Sequence, residues 1–150
     1  MNFRKNSKET ADQVFHSNAW QLIVNIEDIE ELISLAEINN DGKARLCLHP
    51  HSSEQMQVTY LAFSSKYTEK IHKHPHRPEV LIPVIGKAER RTYDHMGNVL
   101  TLHTMEGGMG SSFSTEKNLW HSLTLVSNVF VMIEIGTGPF LPDSTVNFSS

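Results

Sequence analysis

Three imidazoles and one carboxylate stand in this chain at spacings that suit a single metal ion: His72, His74, Glu79 and, much further along, His121. In an extended strand successive side chains alternate faces, so His72 and His74 point the same way, about 7 Å apart, with Lys73 turned outward. Two imidazoles can then reach one ion. Glu79 lies at odd spacing from His74 and would face the other side of an unbroken strand, but Pro75 and Pro78 interrupt the ladder and permit a turn that returns the carboxylate. Such a donor set takes a divalent transition metal, and Fe, Mn, Ni, Co, Cu and Zn all remain open to it.

Other side chains could meet a substrate or support the ligands. His76 makes a second His-x-His with His74 and is placed at the rim or behind a ligand. His49, beside Pro50 at the end of a strand, is expected either at a cavity mouth or in a surface loop. Arg90 and Arg91 are consecutive on a strand, so they face opposite ways; Arg91 is carried as a possible clamp for a carboxylate or phosphate, against the plainer reading of a cross-sheet salt bridge. Tyr93 is a possible proton donor or stacking surface. Glu134 could reach a cavity from the last strand. No general base stands out beside the ligands, so the catalytic residues stay unknown.

The elements that must position these groups are mostly short β-runs: 44–48, 57–63, 69–74, 79–84, 88–93, 99–105, 121–126 and 128–135, with Gly86-Lys87 expected as a turn between the fourth and fifth. A short strand is also expected over 20–24. One helix precedes them: Asn25 offers an N-cap, Glu27 and Asp28 lie in the first turn, and Ile26, Ile29, Leu32, Ile33 and Ala36 form one apolar stripe that ends at Asn39-Asn40-Asp41-Gly42. The strand count argues for an all-β fold, a sandwich or barrel, and a jelly roll with one N-terminal helix fits it.

His72-x-His74-x4-Glu79-x6-Gly86 has the form of the first cupin motif, and Gly110-x5-Glu116-x-Asn118-x2-His121 resembles the second, with Glu116 where proline is usual and Asn118 where glycine is usual. Asn118 can still adopt the left-handed turn conformation that glycine would supply. The runs Ala44-Arg-Leu-Cys-Leu-His49, His72-Lys-His-Pro-His-Arg-Pro-Glu79, Tyr93-Asp-His-Met-Gly97, Trp120-His121-Ser122-Leu123 and Glu134-Ile-Gly-Thr-Gly-Pro-Phe140 are similar to cupin-fold metalloproteins of the WbuC type. That resemblance, over roughly residues 20 to 142, implies a double-stranded β-helix and a context in O-antigen or other surface-polysaccharide synthesis. It implies no particular reaction.

At 150 residues and 17.0 kDa the chain suits one domain. Residues 1–18 are expected as a flexible arm, 19–142 as a single cupin domain and 143–150 as a flexible tail. A net charge of −4 argues against nucleic acid as partner, and no apolar run is long enough to span a bilayer, so a cytoplasmic protein without membrane contact is expected. The single cysteine, Cys47, is expected to be buried and inert. The leading functional expectation is a metal-dependent enzyme, isomerase- or epimerase-like or dioxygenase-like, acting on a small carbohydrate-derived molecule. The alternatives are a non-catalytic, metal-anchored sugar-binding module and an iron-dependent small-molecule dioxygenase. Apolar residues on both faces of the 79–84 run lead to the expectation of a homodimer.

Overall fold

The computed structural model describes residues 3–149. In chain order a 3-10 turn (Phe3–Lys5) leads into β1 (Ser7–Ala11), β2 (Val14–Ser17), α1 (Ile26–Ile38), β3 (Lys43–Cys47), β4 (Met56–Ser64), β5 (His72–Lys73), β6 (Glu79–Tyr93), β7 (Val99–Glu106), β8 (Phe113–Thr115), β9 (Trp120–Thr137) and β10 (Val146–Asn147). The strands run β1-β2-β3-β4-β9-β5-β10, and β6 joins through β9 while carrying β7 and β8. This is the jelly-roll arrangement expected from the sequence.

Strand alternation gives the barrel two dissimilar faces. On β3, Ala44 and Leu46 point outward to α1, while Lys43, Arg45 and Cys47 line the interior. The outward layer packs Phe3, Phe15, Ile29, Leu32, Leu35, Leu46, Ala62 and Val131. A second apolar cluster, including Leu61, Leu81, Met105, Leu123 and Phe130, fills another part of the fold.

The helix forms where the caps place it. Asn25 Oδ1 accepts from the Asp28 N–H, and Asp28 returns the bond to the Asn25 N–H, each at 3.1 Å. The buried stripe differs from the expected one at its start: Ile26, the first helical residue, is exposed, and Leu35 is buried. No described helix is long and apolar enough to cross a membrane.

Four expectations are corrected. Of the expected flexible arm 1–18, residues 1 and 2 lie outside the described residues, and Ser7–Ser17 forms an antiparallel hairpin whose second strand pairs in parallel with β3. Phe3 and Phe15 meet edge to face at 5.2 Å, and Phe3 is fully buried; a phenylalanine removed from water contributes about 1.5–3 kcal/mol, enough to hold a polar segment in place. Within the expected tail 143–150, whose last residue lies outside the described residues, β10 pairs with β5 and Phe148 meets Trp120 edge-on at 5.1 Å, so this segment is not loose either. Gly86 makes no turn. β6 runs on through it with bulges on either side, and glycine is required there twice over, by a φ of +79° and by the Val129 carbonyl that occupies the place of a Cβ. The 20–24 run is not a strand; Leu22 and Val24 pack against the helix-side core from a loop.

Candidate metal centre

β5 and the start of β9 lie antiparallel with His72 directly opposite His121, so the two imidazoles share one face. Their ring centroids are 4.4 Å apart, and His74 stands 5.0 Å from His72 and 5.3 Å from His121. One nitrogen from each of the three rings falls within 4.8 Å of the others. The turn before His121 depends on Asn118 at φ +66°, whose N–H donates to the His74 carbonyl at 2.8 Å. The asparagine thus meets the backbone demand that glycine usually meets.

Each ring is held from behind by a carbonyl. His72 Nδ1 lies 2.9 Å from the Lys70 oxygen, His74 Nδ1 3.0 Å from the Ser144 oxygen, and His121 Nδ1 2.8 Å from the Leu119 oxygen. A carbonyl can only accept, so these contacts put the hydrogen on Nδ1 and leave Nε2 with its lone pair turned inward. Glu79 meets that arrangement at His74 Nε2, 3.1 Å from its Oε1. With Nδ1 already protonated, a carboxylate so close to Nε2 calls for a cation between them or a second proton on the ring. These donors suit a divalent transition metal.

The electrostatics divide the imidazoles. Burial, followed by the charges of Arg90 and His72, lowers the His121 pKa to about 3, which keeps that ring neutral. Burial also disfavours a charged His74, but the hydrogen bond and charge of Glu79 outweigh it and raise the pKa. Burial alone would push Glu79 upward; His74, then His121 and Arg77, reverse this and hold it well below the usual carboxylate range.

The site opens on a cavity of about 940 Å³, lined by His72, His74, Arg77 and Glu134 among others. Glu134, about a quarter exposed, has its pKa raised by enclosure in the barrel and by the Glu79 charge. Arg77 is buried and reaches three partners: Gln57 Oε1 at 3.1 Å, Glu134 at 3.5 Å and Glu79 at 3.9 Å. Gly136 makes room for it, because a Cβ there would strike the guanidinium. Tyr67 donates to Glu69 at 2.8 Å, and the other oxygen of Glu69 accepts from the Leu123 N–H at 2.5 Å.

Several sequence-based candidates fall elsewhere. His76 is exposed and does not line the cavity, because it sits in the bend formed by Pro75 and His76. Arg91 faces away and binds Glu89 at 2.5 Å and Thr124 at 3.1 Å; Arg90 is the inward member, buried and bonded to Thr115. Tyr93 is buried with its hydroxyl 2.7 Å from Ser122 Oγ, off the cavity wall. His49 is buried and does line the cavity, next to His16 and Cys47. Sequence reasoning missed Arg77 and Glu69. Arg77 carried one signal, its place two residues before Glu79, where an extended backbone turns both the same way.

The fold is the cupin fold. The solved structures it matches include CapF bound to 3-isopropenyl-tropolone (TM-score 0.62, 15% identity over 75% of this chain and 33% of that one) and an oxalate oxidase with glycolate (0.58, 14%, 73% and 57%). The oxalate decarboxylase of Lactobacillus farciminis, in its formate complex, matches at 0.52 with 13% identity, over 63% of this chain and 27% of that one. Another match, the Bacillus subtilis oxalate decarboxylase, is described as having Mn(II) centres. The chain thus spans between about a quarter and somewhat over half of the structures it matches. No family model matches it, and no curated protein matches it by sequence.

Proposed function

We propose that this chain is a metal-dependent cupin enzyme that moves protons on a small, polar, carbohydrate-derived molecule, in the manner of an isomerase or epimerase. The observation that carries this reading is the convergence of three carbonyl-anchored imidazoles with Glu79, of which His72 and His74 line a cavity whose size suits a small-molecule ligand. His72, His74, Glu79 and His121 would hold the metal, which when bound supplies a Lewis acid to polarise a substrate carbonyl. Glu134 supplies a protonable carboxyl facing the cavity. Arg77 holds Glu79 and Glu134 at fixed positions. The likeness to WbuC-type proteins supports a place in surface-polysaccharide synthesis, in the cytoplasm.

The test is deuterium exchange. Metal-loaded protein incubated in deuterium oxide with aldose and ketose sugars and their nucleotide-linked forms should place deuterium on a carbon next to a carbonyl, read by mass spectrometry, and Glu134→Gln should abolish it. No exchange with metal-replete protein would overturn the proton-transfer reading. A homodimer belongs to the same proposal, because Met56 and Val80 are exposed on the outer face and Val99, Leu100 and Leu102 on the edge strand β7. Light scattering at a mass near 17.0 kDa at every concentration would reject the dimer.

A further inference from the structure

A second group of metal-binding side chains lies on the same cavity and shares no residue with the first. β2 runs parallel to β3 with His16 beside Cys47, so their side chains share the inward face. His49, just past the end of β3, brings its ring within 5.3 Å of the His16 ring at an interplanar angle of 82°. One donor atom from each of His16, Cys47 and His49 lies within 4.8 Å of the other two. All three residues line the cavity.

Each of the three side chains is held in place by a neighbour. His16 Nδ1 is 2.8 Å from the Thr10 hydroxyl, and His49 Nδ1 faces the backbone of Val58, 3.1 Å from both its oxygen and its nitrogen. With hydrogen on Nδ1 the His16 ring keeps Nε2 for an ion; at His49 the Val58 N–H donates to Nδ1, and binding an ion through Nε2 selects the tautomer in which Nδ1 donates instead to the Val58 carbonyl. The Thr59 hydroxyl approaches Cys47 Sγ at 3.7 Å, and Trp20 covers His49 at 6.5 Å. Cys47 and His49 are 5% and 3% exposed, so an ion held there is shielded except toward the cavity.

We infer that His16, Cys47 and His49 form a second metal site, selective for a thiophilic cation such as zinc(II) or copper(I). A thiolate with two imidazoles is a softer donor set than three imidazoles with a carboxylate, so the two sites prefer different ions. On binding, the Cys47 S–H bond breaks heterolytically: its electron pair forms the bond to the ion and its proton passes to the buffer, with no change of oxidation state. The inference does not depend on the reaction proposed for the first site.

Cobalt(II) is the probe, added to the full chain after chelator treatment. A thiolate bound to cobalt gives a near-ultraviolet charge-transfer band that imidazole and carboxylate ligands do not. The wild type should show this band. Cys47→Ser should lose it together with one equivalent of bound cobalt, and His16→Ala, at a half-buried position that leaves the core intact, should weaken cobalt binding at this band by at least tenfold. The His72→Ala/His121→Ala double variant should keep the band and lose the other equivalent. Absence of the band in cobalt-saturated wild type would overturn the inference, as would its persistence at full affinity in both His16→Ala and His49→Ala. Its disappearance in the His72→Ala/His121→Ala variant, with the fold confirmed by circular dichroism, would equally sink the claim of two separate sites.

Discussion

His74 donates through Nδ1 to the carbonyl of Ser144, 70 residues away, while its Nε2 sits 3.1 Å from the Glu79 carboxylate. One imidazole therefore ties the C-terminal segment to the charged floor of the site. The contact fixes which nitrogen faces inward, and it makes the segment around Ser144 part of the candidate metal centre.

Removal of a ligand is the most direct test of that centre. His72→Ala, His74→Ala and His121→Ala should each reduce metal affinity by more than the roughly 10–100-fold typical of losing an outer partner, as measured by elemental analysis after dialysis. Glu79→Gln should cost less, because the amide oxygen still coordinates. His95→Ala, on an exposed turn, should leave occupancy unchanged. Equal occupancy across all three histidine variants would remove the assignment.

Deleting residues 143–150 should lower metal affinity by about 10–100-fold. The deletion removes both the Ser144 carbonyl and the strand that pairs with β5. A truncated protein that binds metal as well as the full chain would show that the His74 anchor is dispensable.

Gly136→Ala should reproduce much of the effect of Arg77→Ala. The new methyl group would displace the guanidinium from its place beside Glu79 and Glu134, loosening Glu79 as a ligand. Isothermal titration with manganese(II) or zinc(II) should show weaker binding in both variants, and the double variant should be little worse than either alone. Full additivity would mean that the glycine acts elsewhere.

The pH dependence of metal-free protein follows from His121 and Glu79. The His121 pKa is depressed in the folded state, so the unfolded chain takes up its proton first; the stability held above about pH 6.5 is lost as pH falls toward 3. Glu79 is also depressed, and its contribution goes at still lower pH, below the ordinary carboxylate range. His74, raised by Glu79, acts the other way: it stabilises the fold when protonated and ceases to do so as pH rises through its folded value. The midpoint of thermal unfolding should therefore fall on acidification below pH 6.5, with a shallower slope in His121→Gln. An unchanged slope in that variant would exclude His121 as the source.

At the other end of the chain, Phe3→Ala should destabilise the fold by about 3–5 kcal/mol, the usual cost of emptying a buried phenylalanine site. Urea unfolding would measure it. A loss below 1 kcal/mol would return the N-terminal segment to the status of a loosely attached arm.

The parts of this protein that can be read from sequence are those governed by local rules. Strand alternation placed His72 and His74 on one side, the Asn25 cap started the helix, and Asn118 took the left-handed turn. What escaped was set by distant partners. Polar residues 3–17 are ordered because Phe3 and Phe15 find the helix across the sheet, and Val146 and Asn147 are ordered because β5 offers an open edge. Gly86 reads as a turn, since nothing local reveals that a Val129 carbonyl will press on it. The choice between Arg90 and Arg91 depended on how the bulges earlier in β6 reset the alternation. Arg77 needed Gly136, a residue on another strand, to leave it space.

The long separation between His74 and Ser144 also governs the order in which the chain can assemble. His72 and His74 are neighbours in sequence, but their orientation waits on β9, which brings His121, and on the final strand, which brings Ser144. Closing such distant contacts is slow compared with forming a helix or a hairpin. A nascent chain emerging from the ribosome therefore presents His72 and His74 without their partners until β9 and β10 have followed them, so the complete candidate site exists only once the barrel has closed.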